Sequence, residues 1–199
     1  ANNRGSTPLY QAAVKGHVDV AKLLIKAGAI VNQANKDGSS PLWTASLNGH
    51  IDLIKVIIEA GGDVNQARTT DGATPLFIAS EKGHTDIVAI LSGTPGIQIN
   101  QATTDGVTPL IQASQEGHTD IVAILLGAPG IQINQLSKNN ETPLNKASGK
   151  GYTEIVRLLL QQPNIDLNKI DIWNTTALGI ATENNHTEII QLLKDAGAQ

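Results

Sequence analysis

Cysteine and methionine are absent from this sequence of 199 residues, and aromatic residues make up only 3% of it. The lack of cysteine excludes disulfide bonds, thiol catalysis and cysteine-based zinc sites. Charged residues are also scarce, at 16% against about a quarter in a typical domain. With hydrophobic residues at 40%, we expect a soluble chain that folds around a core of Leu, Ile, Val and Ala, as packed helices do.

A strong excess of one charge and long hydrophobic runs are missing as well. The 14 basic and 18 acidic residues give a net charge of −4, which argues against nucleic acid or an anionic membrane as the partner. The longest apolar run, IVAILL at 121–126, has six residues, whereas a membrane-spanning helix needs about 20. We therefore expect a cytoplasmic protein or an exported effector. The missing methionine further predicts a processed or excised chain.

A repeat of 33 or 34 residues runs through the whole sequence. Thr-Pro-Leu or a variant occurs six times, with its second position at residues 8, 41, 75, 109, 143 and 177. A Gly-His pair or a variant follows each time, and an asparagine closes five of the units, at residues 32, 65, 100, 134 and 168. The sequence therefore predicts one domain of six repeats, with boundaries near 1–33, 34–67, 68–101, 102–135, 136–169 and 170–199.

Each mark of the repeat has a physical role, and together the marks predict two short helices per unit. Thr before Pro is typical of a helix N-cap followed by proline at the first helical position. The later glycine predicts the end of that helix. A second helix then begins with an acidic residue, and its apolar residues recur at helical spacing, as Leu53, Val56 and Ile57 do. One such pair cannot bury its apolar face alone, so stacked pairs are predicted.

This pattern resembles the ankyrin repeat over essentially the whole chain. Residues 71–92 (DGATPLFIASEKGHTDIVAILS) match the family motif closely, and so do residues 37–65. The resemblance implies an all-α fold, an ankyrin-repeat solenoid of stacked helix-turn-helix units joined by β-turn or hairpin-like loops. The last unit has Ala177 for Pro and Asn185 for Gly, and it resembles a C-terminal cap.

The family's histidine after Thr-Pro-Leu is missing from every unit. Because no histidine stands there, we expect the hydrogen bonds that it makes in the family to be lost. The residues that replace it are Tyr10, Trp43, Phe77, Ile111, Asn145 and Gly179.

Histidine and acidic residues two positions apart, as in His84 and Asp86, raise the possibility of metal ligands or general bases. Equivalent histidines of stacked units lie about 8–10 Å apart, whereas zinc ligands lie at about 2.0–2.1 Å from the ion. Neighbouring histidines therefore cannot share an ion, and a structural role is predicted for them. The sequence also lacks G-x-S-x-G, H-E-x-x-H and phosphate-loop motifs. We expect no enzymatic activity, no catalytic residue, no metal and no cofactor.

The residues that face away from the core are the candidates for partner contact. A helical wheel centred on Leu42, at about 100° per residue, places Thr44 outside, Leu47 nearby and Trp43 at the flank. The same arithmetic exposes Ile78. In ankyrin proteins this face and the turn tips form a concave groove that binds partners, and the resemblance implies the same here. The candidate partner-binding residues are Lys36, Asp37, Trp43, Thr44, Leu47, Thr70, Phe77, Ile78, Glu81, Thr104, Gln112, Gln115, Lys138, Asn139, Lys146, Lys150 and Trp173.

Two features of this set stay open. Tyr10, Trp43 and Phe77 either belong to an apolar strip that meets a partner or fill the space between layers that the missing histidine leaves. Trp173 either anchors a partner or belongs to the end cap. No stripe of one charge sign runs along the units, so long-range electrostatics are not expected to choose the partner.

The leading functional hypothesis is a non-enzymatic module that binds a partner protein through this groove. We expect it to act as a monomer and to bind neither nucleic acid nor a membrane. The alternative is a structural spacer, or the ankyrin part of a larger effector whose activity lies in another domain.

Overall fold

The first helix of each unit begins and ends at signals in its own sequence. In the computed structural model, which describes residues 5–199, the side chain of Thr74 accepts a hydrogen bond from the N–H of Phe77 at 3.1 Å. Pro75 takes the first helical position, where its missing N–H costs nothing. Gly83 ends the helix with a left-handed backbone (φ +76°) and donates its N–H to the carbonyl of Ala79. These are the caps that the sequence predicts.

The described residues form twelve helices and no strand. None of these helices is long and apolar enough to cross a membrane. Their bounds are α1 Pro8–Lys15, α2 Val18–Lys26, α3 Pro41–Asn48, α4 Ile51–Glu59, α5 Pro75–Lys82, α6 Thr85–Ser92, α7 Pro109–Glu116, α8 Thr119–Leu126, α9 Pro143–Lys150, α10 Thr153–Leu160, α11 Ala177–Glu183 and α12 Thr187–Asp195.

The helices stack in two layers. Each odd-numbered helix packs on the odd-numbered helices before and after it, and the even-numbered helices form the second layer in the same way. Within a pair the two helices also contact each other, as α5 and α6 do. The chain is therefore a solenoid of helix-turn-helix units, which confirms the all-α fold class expected from the sequence.

The core repeats from pair to pair. In the third pair Leu76, Ala79, Ile87, Val88 and Leu91 are each no more than 1% exposed. Burial of one such large apolar side chain contributes about 1.5–3 kcal/mol. Because every central pair supplies the same positions, the core runs along the stack between its two layers.

Asparagine side chains link the successive loops that follow the second helices. The Nδ2 of Asn65 donates to the carbonyl of Gly96 at 2.8 Å, and its Oδ1 accepts from the N–H of Gln98 at 2.8 Å. We call this series the asparagine ladder. Its members are Asn32, Asn65, Asn100 and Asn134.

Histidine rings make a second series of contacts between units. The Nε2 of His84 lies 3.1 Å from the carbonyl oxygen of Leu47 in the preceding unit. His50, His118 and His186 meet the carbonyls of Val14, Glu81 and Gly149 in the same way. These four histidines therefore have a structural role, in agreement with the prediction from their spacing.

The loops that precede the first helices are hairpin-like turns, as the resemblance implies. The N–H of Arg68 donates to the carbonyl of Ala73 at 2.9 Å and closes one such turn. Adjacent turns are also joined, since the N–H of Thr104 donates to the carbonyl of Asp71 at 2.7 Å. The tips of these turns thus form a row, here called the tip row, made of residues 36–37, 69–71, 103–105, 138–140 and 172–174.

Candidate partner-binding surface

The inner side of the first helices is covered by neighbouring helices. Trp43, Thr44, Phe77 and Ile78 are 4%, 2%, 7% and 4% exposed, respectively. The prediction that Thr44 and Ile78 face outward is therefore wrong. The helical wheel allowed for one buried side, whereas a first helix such as α3 lies between α1 and α5, which cover both of its flanks.

The ring of Trp43 packs inside the stack. The guanidinium of Arg68, from the following loop, lies 4.4 Å from the ring centroid, a cation–π contact. The Trp43 Nε1 has no hydrogen-bond partner in the described part of the chain. Burial at this level favours the packing alternative for Trp43 over direct contact with a partner.

Arg68 also holds the carboxylate of Asp71. Its Nε donates to Asp71 Oδ1 at 2.9 Å, and its Nη2 donates to Asp71 Oδ2. The hydrogen bond from Arg68 lowers the pKa of Asp71, although desolvation opposes it, and the pKa of Arg68 is raised by the same bond. This ion pair fixes a tip next to the covered tryptophan.

In the fifth unit the residue that replaces the missing histidine makes a hydrogen bond of its own. The Oδ1 of Asn145 accepts a hydrogen bond from the N–H of Thr142 at 3.1 Å, which completes a capping box. The expected loss of hydrogen bonding at this position therefore does not hold in the fifth unit. The Nδ2 of Asn145 is buried without a partner among the described residues.

The accessible part of the groove lies near the C-terminal ends of the first helices and is mostly polar. Gln112 donates from Nε2 to Glu116 at 3.0 Å, and the Lys146 ammonium pairs with Glu141 at 2.7 Å. The alternative of an apolar strip across the first three units is not supported, because Trp43, Phe77 and Ile78 are buried. The predicted residues that remain accessible here are Leu47, Glu81, Gln112, Gln115, Lys146 and Lys150.

The tip row is exposed, as predicted. Its last turn carries apolar side chains. Ile172 and Trp173 of the row are 54% and 64% exposed, Ile170 just before it is 48% exposed, and we call these three residues the apolar tip. Asp171 accepts hydrogen bonds from the N–H groups of Trp173 and Thr175, each at 2.9 Å, which fixes the turn. The predicted exposed members of the row are Lys36, Asp37, Thr70, Thr104, Lys138, Asn139 and Trp173.

Ile170 was not among the predicted contact residues. The signal that singles out Trp173 also applies to Ile172, because both stand at tip positions that are polar in the other units. Ile170 has an apolar equivalent in Leu136, which is 36% exposed, so its position alone gave no such signal.

No group of three acidic or histidine side chains within residues 5–199 is arranged to hold a metal ion. The side chains of the groove and the tip row offer hydrogen-bond donors and acceptors, a few charges and one apolar cluster. Such an arrangement suits recognition of another macromolecule.

The comparisons with known proteins agree with the repeat geometry. The family model described as ankyrin repeats (3 copies) matches residues 1–68, 60–137 and 129–199. No match was found among curated proteins. Ankyrin repeats are generally protein–protein interaction modules, and the family is typically non-enzymatic. With matches along its whole length, this chain belongs to the ankyrin-repeat family.

Proposed function

We propose that this chain is a non-enzymatic module that holds a partner protein along its groove and tip row. The observation that carries the proposal is the apolar tip. A tryptophan that is 64% exposed stands on a turn whose backbone is held by Asp171. Large aromatic residues are favoured anchors of protein interfaces, and an exposed apolar cluster with a polar surround is typical of one.

The surface is formed before a partner arrives. Neighbouring tips are joined by backbone hydrogen bonds, such as the one from Lys138 to the Asp105 carbonyl at 2.8 Å. A preformed surface loses little conformational entropy on binding, so more of the contact energy remains as affinity. Several tips together could supply the roughly 800 Å² per partner of a standard interface.

The predicted contact residues divide into two roles in this proposal. Trp43, Thr44, Phe77 and Ile78 support the shape of the groove from inside. The partner is contacted by the predicted residues that remain accessible. Those of the groove are Leu47, Glu81, Gln112, Gln115, Lys146 and Lys150, and those of the tip row are Lys36, Asp37, Thr70, Thr104, Lys138, Asn139 and Trp173. The module acts as a monomer, in the cytoplasm or as an exported effector, and its net charge of −4 favours neither nucleic acid nor a membrane.

The test is affinity capture from an extract of the native host, followed by measurement of Kd for the captured protein. Trp173→Ser should weaken binding about tenfold or more, because truncation of an interface anchor costs about 2 kcal/mol or more. The thermal unfolding of this variant should match that of the parent chain, since the side chain is exposed.

Lys194→Ser is the control, because Lys194 is also exposed but lies on α12 away from the tip row. It should bind like the parent chain. A captured partner that both variants bind with unchanged Kd would overturn the role of the apolar tip. Failure of the chain to retain any protein would overturn the proposed function.

A further inference from the structure

The end of the stack at α1 and α2 is apolar, in contrast to the other end. Val20, Leu23 and Ile30 are 47%, 68% and 68% exposed. With Pro8 and Leu24 they form what we call the N-face. Leu24 and Ile30 line an open groove of about 600 Å³ on this face.

Pro8, Val20 and Leu24 of the N-face occupy positions that are buried in every other unit. Val20 is equivalent to residues that are no more than 1% exposed, namely Leu53, Ile87, Ile121, Ile155 and Ile189. Ile189 belongs to the last pair, which has a neighbour only on its preceding side. These positions are therefore covered by the preceding pair, and the N-face is one half of a junction between repeats.

The polar contacts of a junction are also left open on the N-face. Asn32 binds the carbonyl of Gly61 at 3.1 Å and the N–H of Asp63 at 2.8 Å. The equivalents of these groups in the first pair are the carbonyl of Gly28 and the N–H of Ile30. Within residues 5–199 neither has a hydrogen-bond partner. An asparagine from a preceding loop would complete both bonds, as at the other junctions.

The ring of His17 points to the same missing neighbour. His50 and His84 each contact a carbonyl of the preceding unit, at 3.3 and 3.1 Å. His17 is exposed, and its ring has no hydrogen-bond partner in the described residues. The apolar N-face, the backbone groups of Gly28 and Ile30 and the ring of His17 thus all lack a partner at the same end of the stack. At the junctions before His50 and His84 the preceding helix pair supplies the partner for each of these three features.

From these three observations we infer that a further ankyrin repeat, encoded before Ala1 in the same polypeptide, packs on the N-face. A second copy of this chain does not fit, because the exposed residues of α12 are polar, as Glu188, Gln191 and Lys194 are. End-to-end stacking of two copies would therefore place polar side chains on the apolar N-face.

The inference fixes the register of the missing repeat. Ala1 is the equivalent of Ala34, and Asn32 lies two residues before Ala34. The second residue encoded before Ala1 should therefore be asparagine, with a Thr-Pro-Leu motif upstream in phase with the repeat. Reading the gene upstream of the Ala1 codon tests this directly. A stop codon in frame, a start codon directly before the Ala1 codon or an upstream segment without the motif would overturn the inference.

The second measurement compares Val20→Lys in the 199-residue chain and in the chain extended by its upstream residues. In the shorter chain the substitution should leave the melting temperature nearly unchanged, because Val20 is already exposed. In the extended chain it should lower the melting temperature by about 5 °C or more, because a charge would then be buried at a junction.

Asp19→Lys serves as the matched control, since Asp19 and its equivalents Asp52 and Asp86 are all exposed. It should have the same effect in both chains. Hydrogen exchange at the Ile30 amide should also slow in the extended chain. Equal effects of Val20→Lys in both chains, or unchanged exchange at Ile30, would contradict the inference.

Discussion

At the scale of single residues, asparagine replaces glycine at turns that need a left-handed backbone. Asn140, Asn174 and Asn185 have φ values of 56°, 61° and 60°. Asn140 stands where the preceding unit has Gly106, which has φ 75°. Asparagine visits this conformation more readily than most other L-residues because its short side chain bonds locally. The turns of the last two units therefore keep the geometry of the others despite their different sequence.

The pair formed by Arg68 and Asp71 predicts how stability responds to acid. The hydrogen bond from Arg68 lowers the pKa of Asp71 below its ordinary value of 3.8. The stabilisation is therefore fully present above that value and is lost as the pH falls through the lower pKa of the folded state. Asp71→Asn should reduce the stability at neutral pH and make the further loss below about pH 4 smaller than in the parent chain.

Urea unfolding midpoints measured from neutral pH to about pH 2 check this expectation. Asp37→Asn is the matched control, because Asp37 occupies the equivalent tip position and its carboxylate has no ion-pair partner among the described residues. It should keep the acid response of the parent chain. Identical responses of the two variants would contradict a role for the ion pair.

At the scale of the elements, the glycine that ends the first helix of a unit lies against an aromatic ring from the next unit. A Cβ added to Gly83 would lie 2.8 Å from the Cε1 of His118, and one added to Gly117 would lie 2.7 Å from the Cζ of Tyr152. Glycine is thus required at each of these positions for two reasons: its φ is positive, and a Cβ would clash with the ring.

Gly83→Ala should therefore destabilise the protein more than Gly96→Ala. Both residues have positive φ, at 76° and 82°, so both substitutions cost about 1 kcal/mol in backbone strain. Only Gly83 also meets a ring, since no atom lies within 4 Å of a Cβ at Gly96. We expect a total of about 2–3 kcal/mol for Gly83→Ala, measured by urea unfolding. Equal costs would mean that the ring of His118 moves aside freely.

The elements were predictable from the sequence where their signals are local. Thr74, Pro75 and Gly83 determine their helix through contacts within a few residues, so its bounds follow from the repeat pattern. The exposure of Thr44 and Ile78 depends instead on the two helices that flank each first helix. The cover that Arg68 provides for the tryptophan is also a contact between units, which a wheel of one helix does not contain.

The candidate site was predictable to a similar extent. The tips were correctly placed on the surface because a turn that protrudes between helices is exposed whatever its neighbours are. The polar character of the groove was missed, since it follows from the burial of large apolar side chains between units. The N-face was missed because most of its residues are ordinary members of the repeat, and the position of their pair at the end of the described stack leaves them uncovered.

At the scale of the whole molecule, each helix pair of the stack contacts the pairs directly before and after it, as in repeat proteins generally. Stability then depends on the pairs themselves and on the junctions between them. We propose that the six repeats, with the boundaries given above, unfold as one cooperative domain. The core is continuous through the junctions, which supports this proposal.

Leu125→Ala and Leu193→Ala should affect unfolding differently, because one lies in the centre of the stack and the other at its end. Both side chains are 0% exposed, and such truncations cost about 2–5 kcal/mol. Leu125→Ala, in α8, should lower the midpoint of a single unfolding transition. Leu193→Ala, in α12, should mainly speed hydrogen exchange within α11 and α12. Two separate transitions in the Leu125→Ala variant would contradict the single cooperative domain.

The asparagine ladder also bears on how such a gene can change. Because Asn32, Asn65, Asn100 and Asn134 bind the following loop in the same way, a gain or loss of one unit by recombination leaves each amide satisfied. The junction before Tyr152 is different, since a phenol ring replaces the imidazole there. Outside that junction, the length of the recognition surface can evolve in whole units while the spacing between them is preserved.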